Sequence, residues 1–245
     1  SADAVDVVAC RFDRQGCLSL GAVSVDIPRH IRSTIMEAVE LPVLDMESIQ
    51  RLSGILTNIY IEAVELLMRK MALTCDQVAA IGLHGQTIHH RPHGEYPYTI
   101  QIGKAMKMAN RLGIDVVDHF RDTDIAVGGQ GAPLIPVFHQ YLAETGGKNC
   151  AAFLNLGGIA NATVYKQGML QGWDIGPANA LMDLWCQRHR QLPYDEGGNW
   201  ARKGKVVDGL LRSWLSDTYF SLKPPKSTGR DYFSERWLLE SHPIL

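Results

Sequence analysis

The chain has 245 residues, 46% of them hydrophobic and 20% charged, which is typical of a globular protein with one or two proper cores. Its net charge is −2 and no run of Lys and Arg occurs, so nucleic acid is not predicted as a partner. No apolar run approaches the roughly 18 residues of a transmembrane helix, so a membrane is not predicted as a partner either. The five cysteines are scattered without a C-x-x-C spacing, which favours reduced thiols in a cytoplasmic protein over disulfides or structural zinc.

The first part of the chain predicts a hairpin followed by a long helix. Val5–Phe12 and Cys17–Val25 are apolar runs, and the polar turn Asp13–Gly16 separates them, as in two paired strands. Between Asp45 and Ala72, apolar residues recur at alternating spacings of three and four, which predicts an amphipathic helix with one stripe facing the core. Thr74 and Gln77 have the spacing of a capping box at the start of a short helix.

Strands and helices alternate in the middle of the chain, which predicts an α/β protein. Ala79–Leu83 and Ile114–Val117 are predicted strands, and Lys104–Leu112 is a predicted helix that ends at Gly113. A glycine-dense loop precedes a further helix near Pro136–Glu144. Four histidines in the intervening segment predict a loop, but no Cys or carboxylate completes a set of zinc ligands. These histidines are His84, His89, His90 and His93.

The segment Glu144–Asn149 is polar and rich in glycine, and we predict a domain boundary there. The predicted domains are residues 1–147 and residues 148–245. Arg14–Leu18 and Lys166–Leu170 resemble each other, and each follows a predicted strand. This match is either a coincidence or a sign that both halves begin with the same loop–strand–turn–strand unit. Two related domains would suit a nucleotide bound between them.

The stretch that follows the predicted boundary carries the chemistry. Strand Ala151–Leu156 runs into a pair of glycines that Asn155 and Asn161 flank, and such a turn lets backbone N–H groups approach a phosphate. Asp174 stands at the end of a later strand. A carboxylate base beside a phosphate loop is the minimum that phosphoryl transfer requires. The alternative is two ordinary turns, with Asp174 capping the helix that begins near Pro177.

Seven short motifs extend this pattern along nearly the whole chain. They are Ser1–Asp6, Gly82–Thr87, Gln101–Gly103, Asp124–Pro133, Asn155–Asn161, Asp174–Asn179 and Pro225–Phe233. In this order they resemble the anhydro-N-acetylmuramic acid kinase family, which belongs to the actin-like ATPase superfamily with sugar kinases and Hsp70 chaperones. Each motif alone is weakly specific, whereas the ordered series is strongly specific.

The resemblance implies a fold and a reaction. The fold is α/β, an actin-like (ribonuclease H-like) arrangement of two domains around a nucleotide cleft, with the second domain incomplete in this chain. The family uses ATP and Mg²⁺ to open 1,6-anhydro-N-acetylmuramic acid with water while it phosphorylates O6. This gives N-acetylmuramic acid 6-phosphate in the recycling of cell-wall sugars in the bacterial cytoplasm. A small-molecule sugar and ATP are thus the expected partners, and a homodimer is a candidate assembly.

The resemblance also assigns roles to residues. Asp174 matches the catalytic base. The residues that match the two ATP-phosphate loops are Ser1, Ala2, Asp3, Ala4, Val5, Asp6, Asn155, Gly157 and Gly158, with Asp3 as the candidate Mg²⁺ ligand. The candidate sugar-binding residues are His84, Gln86, Arg121, Gln130, Gly176 and Asn179. Arg121 could pair bidentately with the lactyl carboxylate; the alternative is a structural ion pair with Asp122 or Asp124.

Several residues depart from the family pattern. Ala4 and Ala178 replace glycines, Ile175 replaces a threonine, Lys104 replaces an aspartate and His119 replaces an acidic residue. Because the chain starts at Ser1 within a motif, we interpret it as a fragment that lacks the first strand and the adenosine-binding segment of the family. These departures leave a second reading open, in which the protein is a non-catalytic relative that binds sugar or nucleotide.

Overall fold

The computed structural model of the chain describes residues 3–41, 43, 45–230 and 232–240. The predictions on Ser1 and Ala2 fall outside these residues. The described residues form a mixed α/β structure with two compact units, which divide between Gly131 and Ala132. None of the helices in the described ranges has both the length and the apolar character that crossing a bilayer demands.

The described residues of the first unit form four α-helices, one short 3-10 turn and six strands. In chain order these are β1 (Ala4–Asp13), β2 (Gly16–Asp26), α1 (Arg29–Glu40), α2 (Met46–Met71), the 3-10 turn (Cys75–Gln77), β3 (Ile81–Gly82), β4 (Gln86–Arg91), β5 (Tyr98–Ile102), α3 (Ala105–Leu112), β6 (Val116–Val117) and α4 (Phe120–Ala126). Strands β1 and β2 form the predicted antiparallel hairpin. Asp13 Oδ1 closes its turn by accepting hydrogen bonds from the amides of Gln15 and Gly16, at 2.7 and 3.1 Å.

Helix α2 forms the centre of the first core and confirms the predicted amphipathic helix. Asp45 Oδ2 accepts a hydrogen bond from the Ser48 amide at 2.8 Å, which satisfies one of the unpaired N–H groups at the start of the helix. The helix ends at Ala72, which has left-handed backbone angles. Leu52 and Leu56 lie on its buried stripe and pack in one cluster with residues of α1 and β4. The capping box after it is also confirmed, since Gln77 Oε1 accepts the Thr74 amide.

Strands β3 and β6 pair in parallel over two residues each, so both predicted strands exist but are shorter than predicted. The prediction of a histidine-rich loop was wrong for His89 and His90, which lie in β4 and pair with β5. Burial of Ile88 in β4 and Ile102 in β5 fixes this hairpin, because one face of it joins the core. Within the described ranges, no three His, Cys, Asp or Glu side chains are grouped closely enough to hold a metal ion.

The second unit is built on an antiparallel sheet with the order β7–β8–β9. Its elements are α5 (Ile135–Thr145), β7 (Cys150–Leu156), β8 (Ile159–Lys166), β9 (Met169–Pro177), α6 (Asn179–Arg190), 3-10 turns at Glu196–Gly198 and Ala201–Lys203, α7 (Asp208–Leu215), α8 (Thr218–Ser221) and α9 (Glu235–Glu240). Helix α5 packs on one face of the sheet, where Tyr165 donates a hydrogen bond to Glu144 at 3.1 Å. This packing puts α5 in the second compact unit.

His139 of α5 lies against this sheet, and its titration makes the free energy of unfolding of the second unit depend on pH. Its Nδ1 is 2.9 Å from Thr163 Oγ1, and its ring stacks on Phe153 with centroids 4.2 Å apart. Partial burial lowers the pKa of His139 below its ordinary 6.5. The unfolded chain therefore binds this proton more readily, so the stabilisation is complete above pH 6.5 and is lost as the pH falls through the folded-state pKa.

We therefore expect the variant His139→Asn to lose stability less steeply than the wild type as the pH is lowered below 6.5. Denaturant unfolding at a series of pH values measures both slopes. Equal slopes for the variant and the wild type would contradict a folded-state pKa below that of the unfolded chain.

Candidate active site

Asp174 lies in β9 and is only 8% exposed. Asn161 of β8 pairs with Asp174, while the preceding residue Ala160 pairs with Gly176. Ile175 is therefore the extra residue of a β-bulge. Bulges of this kind bend a strand and redirect a neighbouring side chain, and they are common beside active sites.

A segment from the end of the chain runs along the outer edge of β9 at this bulge. The Asp174 amide donates to the Lys226 carbonyl at 2.9 Å, and Asp174 Oδ2 accepts the Thr228 amide at 3.0 Å. The Tyr219 hydroxyl donates to the Asp174 carbonyl at 2.7 Å. Burial, and then the charge of Asp174, raises the pKa of Tyr219 well above its usual value, so this hydroxyl keeps its proton. Backbone and carboxylate of Asp174 are thus held from three sides.

The alternative role of Asp174 as a helix cap is wrong. Helix α6 begins at Asn179, and its N-cap is Ala178, which makes no side-chain cap. Asp174 lies within β9, where it belongs to the sheet and contacts the segment containing Thr228. A buried carboxylate that does not cap a helix needs another explanation, because burying a charge is costly.

The paired glycines form the turn between β7 and β8, and this turn is bound to the start of α6. The Gly157 carbonyl accepts the Asn179 amide at 2.9 Å, and the Gly158 carbonyl accepts the amides of Ala178 and Ala180 at 3.0 and 3.1 Å. Asn179 Nδ2 also donates to the Leu156 carbonyl at 2.9 Å. Asn179 therefore anchors the glycine turn, a structural contact that its prediction as a sugar ligand did not include.

Two glycines of the predicted site are closely approached by other side chains. A Cβ atom on Gly158 would lie 3.0 Å from Arg230 Nη2, and one on Gly176 would lie 2.7 Å from the ring of Phe220. Gly176 also has a φ of 155°, a backbone angle that residues with a side chain rarely adopt. The close approach of Arg230 brings a cation beside the predicted phosphate turn.

Three polar side chains form a row across the sheet next to this turn. Asn155 of β7 pairs with Asn161 of β8, which in turn pairs with Asp174 of β9. Directly paired residues project from the same face of a sheet, so the row aligns the predicted phosphate turn with the predicted base. No site role was predicted for Asn161, Thr228 or Arg230. The signals were present, since all three lie in motifs that carried the resemblance.

In the first unit, Arg121 links two of the predicted sugar-binding segments. Its Nε donates to His84 Nε2 at 2.9 Å, and its Nη1 donates to the Gly131 carbonyl at 2.6 Å. His84 Nδ1 is 2.7 Å from the Gly85 carbonyl, so this nitrogen carries the proton and Nε2 accepts. Although His84 remains exposed overall, partial desolvation and then the charge of Arg121 lower its pKa. The ring is therefore neutral at neutral pH.

The loop beside Arg121 is fixed from both sides. Asp124 Oδ2 accepts the Gly131 amide at 2.7 Å, while Arg121 binds the carbonyl of the same residue. Gln130 precedes this anchored glycine and is half-buried. Gln86 starts β4 and donates to the Thr87 carbonyl at 3.0 Å. Arg121, His84 and the Gln130 loop are thereby brought together.

The predicted residues of the other phosphate loop lie in the first unit. Ala4, Val5 and Asp6 begin β1, and Asp3 precedes them with its carbonyl accepting the Ile27 amide at 2.8 Å. Asp3 and Asp6 are both exposed. Asn155, Gly157, Gly158, Asp174, Gly176 and Asn179 belong to the second unit.

Comparison with known proteins decides the family. The family model described as "Anhydro-N-acetylmuramic acid kinase" matches residues 1–243. The chain belongs to the anhydro-N-acetylmuramic acid kinase family. It is also similar to a curated protein of Sulfurovum sp. (strain NBC37-1) named "Anhydro-N-acetylmuramic acid kinase", with 42% identity over 241 residues. This match covers 97% of the chain and 66% of that relative, so the chain spans slightly less than two thirds of its length.

Three of the residues that depart from the pattern of this kinase family have defined positions in the structure. Ala178 has a φ of −134°, so its methyl group is tolerated, as expected for a negative φ. Lys104 precedes α3, and its amide donates to the buried Thr57 hydroxyl at 2.9 Å. His119 lies between Asp122 and Asp118, with its nitrogens 2.8 and 3.5 Å from their carboxylates. The hydrogen bond to Asp122 raises the pKa of His119, which favours its charged form.

Proposed function

We propose that this protein is an ATP-dependent kinase that opens 1,6-anhydro-N-acetylmuramic acid with water and phosphorylates O6, giving N-acetylmuramic acid 6-phosphate. The observation that carries the proposal is the buried carboxylate of Asp174, which accepts the Thr228 amide at 3.0 Å. This carboxylate belongs to the polar row that lies next to the glycine turn. Family membership and the curated relative that bears this enzyme's name support the same reaction.

In the proposed reaction Asp174 is the general base. The oxygen of a water molecule forms a bond to the anomeric carbon of the sugar, and one proton of this water passes to the Asp174 carboxylate. The bond between the anomeric carbon and O6 breaks, and its electron pair stays on O6. O6 then bonds to the γ-phosphorus of ATP, while ADP leaves with the electron pair of the broken P–O bond. Asp174 finally returns its proton to solvent.

Each unit, considered by itself, offers groups that suit a phosphate or its metal ion. Gly157 and Gly158 have no side chains, which lets the backbone N–H groups of this turn approach a phosphate. Arg230 supplies positive charge beside the turn, which suits a phosphate. Mg²⁺ usually takes one or two carboxylates together with substrate phosphates, so the exposed carboxylates of Asp3 and Asp6 fit as its protein ligands. When bound, the ion would neutralise charge on the transferred phosphoryl group.

The sugar would meet the Arg121 cluster. Nε and Nη1 of Arg121 are oriented by His84 and the Gly131 carbonyl, so the guanidinium is held in place before a ligand arrives. A guanidinium fork matches a carboxylate, and muramic acid carries one on its lactyl group. Preorganised contacts of this kind reduce the entropy lost on binding.

The fold that we propose is the actin-like arrangement of two α/β domains around a nucleotide. Within the first unit, a groove of about 930 Å³ runs between β1 and the residues around β3, with α2 as its floor. Among the described strands, the two that border it each pair along one edge, β1 with β2 and β3 with β6. Its position therefore suits a further strand between β1 and β3, which would join the two strand pairs into one sheet. The domain division at residues 147 and 148 and a homodimer stay predictions. A need for ATP suits a bacterial cytoplasmic location.

The test is a coupled assay of ADP release with the intact protein. We expect release to depend on 1,6-anhydro-N-acetylmuramic acid and on Mg²⁺, with N-acetylglucosamine as the control sugar that lacks the anhydro bridge. A folded protein that binds the sugar without stimulated ADP release would support a non-catalytic binding relative. Preference for another acceptor would reject the substrate and retain the kinase.

A further inference from the structure

Two polar atoms beside Asp174 are buried and have no hydrogen-bond partner among the described residues. They are Asn161 Oδ1 and Thr228 Oγ1. Buried polar atoms are almost always hydrogen-bonded, and leaving one unpaired is costly. Such atoms in a folded protein therefore indicate a missing partner, which is water or a ligand.

Asn161 and Thr228 adjoin Asp174 across the two edges of β9. Asn161 is the cross-strand partner of Asp174 on β8, so the two side chains project from the same face. The Thr228 amide binds Asp174 Oδ2 from the other edge of β9. The two unpaired atoms therefore flank a carboxylate that already has the position of a base.

Other polar groups on the same sheet face are paired within the protein. Thr163, two residues after Asn161, is fully buried, and its hydroxyl bonds to His139 at 2.9 Å. Tyr165, two residues further, bonds to Glu144. Among these three β8 side chains, Asn161 beside Asp174 is therefore the one with a buried polar atom that has no partner among the described residues.

We infer that Asn161 and Thr228 bind the water molecule that Asp174 deprotonates. This inference rests on the proposed function. One hydrogen of the water is donated to Asp174 and is transferred, and the other is donated to Asn161 Oδ1. The Thr228 hydroxyl donates to one lone pair of the water oxygen, and the second lone pair forms the bond to the anomeric carbon. Held this way, the water enters the reaction already oriented.

The variant Thr228→Val tests this inference, because it replaces the hydroxyl by a methyl group of similar shape and keeps the amide that binds Asp174. Removing an unpaired buried hydroxyl should leave the melting temperature of the ligand-free protein unchanged or raise it. Turnover should nevertheless fall on the order of tenfold or more, as expected for a lost hydrogen bond in the transition state. The KM for ATP should stay nearly constant.

Three further variants complete the test. Thr228→Ser keeps the hydroxyl, so we expect it to keep kcat close to the wild-type value. Thr163→Val removes a hydroxyl that already has a partner, so it should lower the melting temperature while kcat per folded molecule stays near normal. Asn161→Leu, which removes Oδ1, should behave like Thr228→Val and provides a second reading of the same site.

The outcomes separate this inference from the function on which it rests. A wild type without sugar-dependent ADP release would overturn the proposed function, and this inference with it. A wild type that turns over, together with full kcat in both Thr228→Val and Asn161→Leu, would overturn this inference alone. A loss of kcat in Thr228→Ser as large as in Thr228→Val would also overturn it, because the hydroxyl would then not be the group that matters.

Discussion

Replacing Asp174 by Asn is expected to lower turnover by about 10²- to 10⁴-fold, the usual contribution of a positioned general base. The amide oxygen of Asn can still accept the Thr228 amide, and the Tyr219 hydroxyl binds the backbone carbonyl, so the local structure is retained. An amide cannot accept the proton of the attacking water. ATP and sugar binding should therefore persist, since neither depends on this proton transfer.

Steady-state ADP release and the melting temperature, measured on the same sample of Asp174→Asn, check this expectation. Asp208→Asn is the control, because Asp208 is an exposed carboxylate in the same unit, and its kcat should equal that of the wild type. Near-normal turnover in Asp174→Asn would mean that another group is the base.

Replacing Phe233 by Ala is expected to destabilise the second unit by about 3–5 kcal/mol, as for other fully buried aromatic residues. Phe233 is 1% exposed, and its ring makes edge-to-face contacts with Tyr219 and Trp237 at centroid distances of 5.3 and 5.0 Å. Its amide donates to the Gly229 carbonyl, so this core residue also holds the segment that carries Thr228. Activity should decline together with stability.

Denaturant unfolding measures the change in Phe233→Ala, and Tyr194→Ala is its control. Tyr194 is 54% exposed, so losing its ring should cost far less. If both variants lost a similar free energy of unfolding, the aromatic cluster around Phe233 would not be the core of the second unit.

The features that could be predicted from the sequence have local signals. Helix α2 follows from the spacing of its apolar residues and the Asp45 cap, and the β1–β2 hairpin follows from its polar turn. Asp174 was predicted at the end of a strand, and it lies within β9, which continues to Pro177. Helix α1 has a comparable signal in Ile31 and Ile35, which are buried at helical spacing, but it was not predicted.

The features that could not be predicted depend on contacts between distant parts of the chain. Thr228 and Asp174 are 54 residues apart, and no periodicity relates them. The β4–β5 hairpin contains His89 and His90, whose polarity indicates a loop, and only packing of Ile88 against the core makes it a strand. The packing of α5 against the second sheet depends in the same way on contacts between distant residues, such as His139 and Thr163.

The central claim is that one reaction adds both water and a phosphoryl group to the anhydro sugar, with Asp174 as its base. Mass spectrometry of the products of the intact protein, with ADP quantified in parallel, tests this claim most directly. We predict a single sugar product that has gained one water and one phosphoryl group, in equal amount to ADP, and almost none of it with Asp174→Asn. ADP formed together with inorganic phosphate and unchanged sugar, or a phosphorylated sugar that has gained no water, would contradict the claim.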